Sequence, residues 1–158
     1  DVPQEQTCLI VLDARPAGNA RGEALRYADA VTSCALALAD QALRAGHPVR
    51  VTDGRSAARA HALRRLGELR LYLARLPFDA AHSPEETLDA LRAQEPAGLL
   101  YVVSGLAGAG LDGPMRRLAP GGGWALLHIG QRPPEGFALP CYAVPDAAGL
   151  AAALRGAP

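Results

Sequence analysis

The sequence predicts a three-layer α/β/α domain built on one mostly parallel sheet. Three observations carry this reading: an unbroken apolar run ending on a carboxylate near the start, regular alternation of such runs with helical patterns, and a composition suited to burying a core. Of 158 residues, 49% are hydrophobic and 20% charged, with a net charge of +0. A chain of this length buries roughly 70% of the surface its unfolded form exposes, so its core requires neither disulfide nor metal. Neutrality argues against a nucleic-acid partner, whose binding surface normally needs a basic excess. All 16 basic residues are arginine and 33 residues are alanine, a bias that reflects GC-rich coding more than mechanism.

Thr7-Cys8-Leu9-Ile10-Val11-Leu12-Asp13 reads as a central parallel strand covered on both faces. After a loop from Pro16 to Gly22, residues Glu23 to Ala45 carry Leu25, Ala28, Val31, Ala35, Leu38, Ala42 and Leu43 at helical spacing, with Gly46 where a C-terminal cap belongs. His47 to Gly54 gives a second strand closed by Asp53-Gly54 and completes a β-α-β unit. Ser56 to Leu76 is expected to be one helix, its leucines 63, 66, 69, 73 and 76 on a stripe and its arginines mostly off it. Ser83-Pro84-Glu85-Glu86 is a helix start with Ser as cap and Pro at the first position, predicting a helix to about Gln94. Gly98 to Val103 is a third strand, followed by a glycine-rich loop and a short helix from Pro114 to Ala119. Trp124 to Ile129 and Ala138 to Val144 are further strands, and Asp146 caps a last helix through Arg155. The whole is Rossmann-like, a single domain over 7–158 after a linker at 1–6.

Cys8, Cys34 and Cys141 lie in apolar runs without metal-ligand spacing and are expected to be buried reduced thiols, which suits a cytosolic compartment. No run reaches the roughly 18 apolar residues that span a bilayer. Because the sequence starts at Asp1 with a linker-like stretch, it is expected to be one domain of a longer protein.

In an open α/β sheet, ligands bind beyond the carboxyl ends of the strands, which gathers Asp13, Arg15, Asp53, Ser104 and His128 near one edge. The loop after the first strand lacks Gly-x-Gly-x-x-Gly, and no phosphate-binding loop motif occurs, so nucleotide cofactors are not expected. None of Ser33, Ser56, Ser83 and Ser104 sits in a nucleophile elbow, and Ser104 reads as a turn hydroxyl. His47, His61, His82 and His128 show no ligand spacing, and His128 is expected to be a hydrogen-bonded strand residue. Asp53 and Asp146 read as a strand stop and a helix cap.

The apolar strand ending in Asp13-Ala14-Arg15-Pro16, the alanine-rich helix containing Leu36-Ala37-Leu38-Ala39, and Leu43-Arg44-Ala45-Gly46-His47-Pro48-Val49-Arg50-Val51 together resemble the C-terminal domain of the domain-of-unknown-function 58 family. That domain is similar to a von Willebrand factor A domain, and its family is associated with MoxR-type AAA+ ATPases. The resemblance implies a position at the cytoplasmic face of a membrane, behind membrane helices and a small β-rich region outside this sequence. It also implies a Mg²⁺ site of pattern Asp-x-Ser-x-Ser after the first strand. Here the matching positions hold Asp13, Arg15 and Ala17, and Ser104 stands where another acidic contact would fall. The expectation is a degenerate, metal-free adhesion site of Asp13, Arg15 and Ser104, with Arg15 paired to Asp13 and no cofactor. Function is then expected to be non-enzymatic protein interaction, the partner a MoxR-type ATPase, with Arg64, Arg65 and Arg70 as a second partner surface. The alternatives are a small Rossmann-like enzyme at the carboxyl edge and a metal-dependent adhesion domain.

Overall fold

The computed structural model describes residues 7–17, 21–55, 60–91, 97–106, 108–121, 123–132, 135–136 and 140–150. Strand β1 (Cys8–Leu12) is buried along its whole length, as an apolar run without alternation requires. It pairs in parallel with β2 (Val49–Thr52) on one side and β4 (Leu99–Ser104) on the other. Beyond β4 lie β5 (Gly123–Ile129) and β6 (Cys141–Val144), both parallel, and β3 (His61–Leu63) runs antiparallel beside β2. The order is β3-β2-β1-β4-β5-β6, so strand order reverses at β1.

Helices α1 (Arg21–Arg44) and α2 (Leu66–Ala74) cover one face, packing Val31, Leu38, Leu69 and Leu73 onto Ile10, Val51 and Leu127. Helices α3 (Pro84–Leu91) and α4 (Asp112–Leu118) cover the other, where Leu88, Leu91 and Met115 meet Val11, Val102 and Leu126. Three layers result, because each strand alternates its side chains between the two faces and both faces are apolar. Among the described residues no helix is long and apolar enough to cross a membrane.

Local chemistry sets the helix ends. Gly46 takes φ +83°, its N–H bonding the Leu43 carbonyl at 3.0 Å, and the His47 N–H reaches the Ala42 carbonyl at 2.9 Å. That paired closure is the Schellman motif, which satisfies the last carbonyls of α1. At α3 the Glu86 N–H donates to Ser83 Oγ at 3.2 Å and the Ser83 hydroxyl reaches Glu86 Oε1 at 3.4 Å, a capping box with Pro84 at the first helical position.

Three expectations need correction. The stretch 56–76 is not one helix: His61–Leu63 pairs with Val49–Val51 as an edge strand, and α2 begins only at Leu66. The unpaired amides and carbonyls along β2 offer hydrogen bonds that outweigh the modest helix preference of this stretch. Leu25, read as a core position of α1, is 57% exposed; the buried stripe instead runs through Tyr27, Val31, Cys34 and Leu38. Asp146 does accept from the Gly149 N–H at 2.8 Å, but the turn it caps, Ala147–Gly149, is 3₁₀, with Leu150 helical directly after it. The expected linker 1–6, Ser56, the end of the third helix at 92–94, the start of the last strand at 138 and the last helix over 151–155 lie outside the described residues.

Gly54, with φ +78°, closes β2 under tight constraint, since a Cβ there would stand 2.8 Å from the His82 carbonyl oxygen and 3.2 Å from Thr87 Oγ1. A Cβ on Gly46 meets nothing within 4 Å. Gly46→Ala is therefore expected to cost about 1 kcal/mol from left-handed backbone strain alone. Gly54→Ala, which adds a backbone clash, is expected to cost about 2–3 kcal/mol. Urea unfolding checks this, and equal losses at the two positions would refute the assignment.

Candidate functional site

The carboxyl end of β1 carries Asp13, which is 1% exposed. An isolated carboxylate that deep is costly, so it must be met by donors. Arg15 supplies three of them: Nε to Oδ1 at 2.8 Å, Nη2 to Oδ2 at 2.7 Å, and its own backbone N–H to Oδ1 at 3.3 Å. The fourth comes from the neighbouring strand, where the Ser104 hydroxyl donates to Oδ2 at 2.5 Å. A carboxylate has about four lone-pair positions, and here four donors meet it. The Arg15 guanidinium is made still harder to deprotonate by its bond to Asp13, with a further contribution from the Glu85 carboxylate at the start of α3.

Ser104 is fully buried. Its proton goes to Asp13 while its oxygen accepts the Leu106 N–H at 3.1 Å, so the hydroxyl also holds the turn that follows β4. Tyr27 of α1 completes the cluster. Its hydroxyl donates to the Asp13 carbonyl at 2.7 Å and accepts from the Gly105 N–H at 3.4 Å, and burial pushes its pKa upward. The cluster thus ties β1, β4 and α1 together where the strand order reverses.

A similar device ends β2. The Asp53 carboxylate accepts the Arg55 backbone N–H at 2.9 Å and its Nε at 3.2 Å, and Tyr72 of α2 donates its hydroxyl to Oδ2. Burial works to raise the Asp53 pKa, but the hydrogen bonds from Tyr72 and Arg55 outweigh it and hold the carboxyl below its ordinary range. Adjacent parallel strands therefore both end in Asp-x-Arg, each arginine folding back on its own aspartate.

The structure brings Asp13, Arg15 and Ser104 into direct contact and leaves Asp53 in the separate cluster on β2. His128 stands beside Ser104 in the β4–β5 register. It is not the hydrogen-bonded residue expected: among the described residues its buried Nδ1 has no partner, the ring lies against Gly130, and burial lowers its pKa. Arg64, Arg65 and Arg70 are exposed at and just before α2, and none of them hydrogen-bonds into this cluster among the described residues. Sequence reasoning missed Tyr27 and Glu85. Tyr27 was legible as a member of the buried stripe of α1, whereas nothing local marks Glu85 as a neighbour of Arg15.

A Mg²⁺ site does not fit these residues. The lone pairs that would ligate the ion are engaged, Arg15 brings a fixed positive charge, and Ala17 supplies no side-chain oxygen. Among the described residues no group of three or more His, Cys, Asp or Glu could hold a metal. Cys8 and Cys34 are buried as expected but Cys141 is only half-buried; burial nonetheless pushes Cys8 and Cys34 up to about 12 and Cys141 up to about 11, which disfavours a thiolate nucleophile at neutral pH. No family model matches the chain, and comparisons with curated proteins and with solved structures likewise find no match.

Arg15→Ala should destabilise the domain by about 1–3 kcal/mol, because it leaves a buried acceptor unmet. The Asp13→Ala, Arg15→Ala double variant should lose less than the two single losses added, with coupling of about 0.5–3 kcal/mol in a double-mutant cycle of denaturant unfolding. Strict additivity would show that the pair does not act as a unit. For Asp53, a depressed folded pKa means stability that is present above the unfolded value of about 3.9 and lost as pH falls through the folded one. Tyr72→Phe removes a bond that holds this pKa down, so acid unfolding should begin at higher pH than in the wild type. An unchanged acid midpoint would show that the hydroxyl does not stabilise the carboxylate.

Proposed function

We propose that this chain is a von Willebrand factor A-like interaction domain that binds a protein partner without a metal ion and without catalysing a reaction. The observation that carries the reading is the closed Asp13 carboxylate, whose four acceptor positions are met by Arg15 and Ser104. In a metal-dependent adhesion site that carboxylate would need lone pairs directed at an ion, and here they hold the sheet edge together instead. The same closure weighs against an enzyme at this edge: the Ser104 proton is committed, and the hydroxyl and carboxylate are both buried. What remains at the edge is a rigid surface on which the partly exposed Arg15 guanidinium presents its outer side. The resemblance in the first strand and helix makes a MoxR-type AAA+ ATPase the partner of choice, met at the cytoplasmic face of a membrane.

Biolayer interferometry with the purified ATPase, run in EDTA and in Mg²⁺, tests the reading. Binding is expected in both, and the Asp13→Ala, Arg15→Ala variant, verified as folded by circular dichroism, is expected to bind about tenfold more weakly. Undiminished capture by that variant would remove the edge from the interface. Binding seen only with Mg²⁺, accompanied by a rise in the melting temperature of the isolated domain, would restore the metal-dependent reading.

A further inference from the structure

His128 is an ionisable side chain at the carboxyl edge that belongs to neither aspartate cluster. Strand alternation puts it on the same face of the sheet as Leu126, the face covered by α3 and α4. In the strand register it stands beside Ser104 of β4 and Ala143 of β6. Its Nδ1 is buried with no hydrogen-bond partner among the described residues, whereas Nε2 is not closed off in this way. The ring lies so close over Gly130 that a Cβ there would stand 2.9 Å from Nε2 and 3.2 Å from Cδ2. An unmet ring nitrogen is tolerable in a neutral imidazole, because the proton can sit on Nε2 and leave Nδ1 a bare acceptor. Protonation removes that option. Both nitrogens become donors, and the new N–H on Nδ1 finds neither an acceptor nor water.

What the ring rests on is tied into the rest of the edge. The Gly130 N–H donates to the Val144 carbonyl at 2.9 Å and so fastens the end of β5 to β6. One residue back, the Ile129 carbonyl packs so tightly on Gly105 that a Cβ there would stand 2.9 Å from its oxygen. The Gly105 N–H in turn donates to Tyr27, whose hydroxyl bonds the Asp13 carbonyl. Displacing the ring therefore disturbs a run of contacts that leads from β6 to the Arg15 edge. On the segments around it the ionisable groups are Asp13, bonded to Ser104; Glu23, Arg26 and Tyr27 of α1, which border a hollow with Ile129 and Gly130; Cys141 of β6, on the same face; and, on α4, Asp112 in the first turn with Arg116 and Arg117 in the last. Helix α3 lies farther along the sheet, over β1. None of these charges compensates a His128 imidazolium: burial is the sole cause that moves its pKa, and it moves it down.

We propose that His128 is an acid-sensitive latch on the carboxyl edge: the neutral ring seats over Gly130 and keeps the ends of β4, β5 and β6 closed, and the imidazolium leaves that seat and loosens them. The latch is a property of the domain itself. It rests on the interaction reading only for its consequence, the weakening in acid of partner binding at the Arg15 edge. A histidine held in its neutral form by the fold makes stability rise with pH up to the unfolded value of about 6.5 and fall as pH drops below it. That window lies above the one in which Asp53 acts, so the two are separable.

Side-chain and backbone NMR of the domain, followed from about pH 7.5 to about pH 5, tests the latch. His128 is expected to be in its Nε2–H form at the upper end and to titrate with a midpoint below about 6.5, the amides of Ser104, Gly105, Gly130 and Val144 moving with it. His128→Phe keeps a ring in the seat without an ionisable nitrogen, so those amides are expected to stay in place over the same range; His128→Asn serves instead should the larger ring fail to fold. Gly130→Ala, which takes the room the ring occupies, is expected to raise the midpoint toward about 6.5 and to show the loosened amide pattern already in neutral solution. A wild-type midpoint at about 6.5, edge amides that ignore the titration, or the same amide movement in His128→Phe would overturn the proposal. Capture of the ATPase is expected to weaken by about threefold or more across this range in the wild type and to stay level in His128→Phe. Equal weakening in both would break the link between latch and binding. Amides that follow His128 while capture holds constant refute the Arg15 edge as the binding surface and support the latch; no capture at any pH refutes the partner named above, and the amide titration still decides the latch.

Discussion

A carboxylate buried at the end of the central strand must be met by donors, and the way Asp13 is met organises the upper edge of this domain. Arg15 closes the loop after β1 onto its own strand, Ser104 fastens β4 to β1, and Tyr27 fastens α1 to both. These bonds sit in a low-dielectric setting where each is stronger than in water and where an unmet partner is expensive. The cluster therefore acts as one unit. Its parts come from residues 13, 15, 27 and 104, so it forms only when β1, α1 and β4 are all in place.

The second aspartate cluster shows that this is a general solution to a recurring problem. A parallel strand that stops on a buried carboxylate must neutralise it within reach, and an arginine two residues on can do so while its backbone N–H closes the turn. At β1 the remaining acceptor position goes to a hydroxyl from a neighbouring strand, and at β2 to a hydroxyl from a helix. The consequence for function is that both carboxylates are structural. Chemistry that would need their lone pairs, whether holding a hard cation or accepting a substrate proton, competes directly with the bonds that hold the edge together.

Surface features divide the domain differently. The edge clusters are internally neutralised, each arginine meeting its own aspartate, while Arg64, Arg65, Arg70 and Arg75 around α2 form no ion pair among the described residues, and Arg70 lines an apolar cleft together with Asp29. Because the chain as a whole is neutral, this local imbalance arises from how charges are distributed and not from their number.

By itself the sequence determined the elements whose signals are local. The unbroken apolar run fixed β1 as a strand covered on both faces, Gly46 fixed the end of α1 because only a left-handed residue closes a helix that way, and Ser83-Pro84-Glu85-Glu86 fixed the start of α3 through bonds within one turn. The contact between Asp13 and Arg15 was legible for the same reason, being two residues apart. Tertiary structure alone decided the rest. His61–Leu63 became a strand because β2 had an open edge to offer, Leu25 faced outward because the sheet met α1 on the side of Tyr27, and Ser104 reached a carboxylate 91 residues earlier in the chain because of the β1–β4 register. The cleft between α1 and α2 has no local signature, since its walls come from helices that only packing on the sheet brings together. Local patterns record what a segment's own backbone and neighbouring residues require; which distant groups satisfy one another depends on how the layers register.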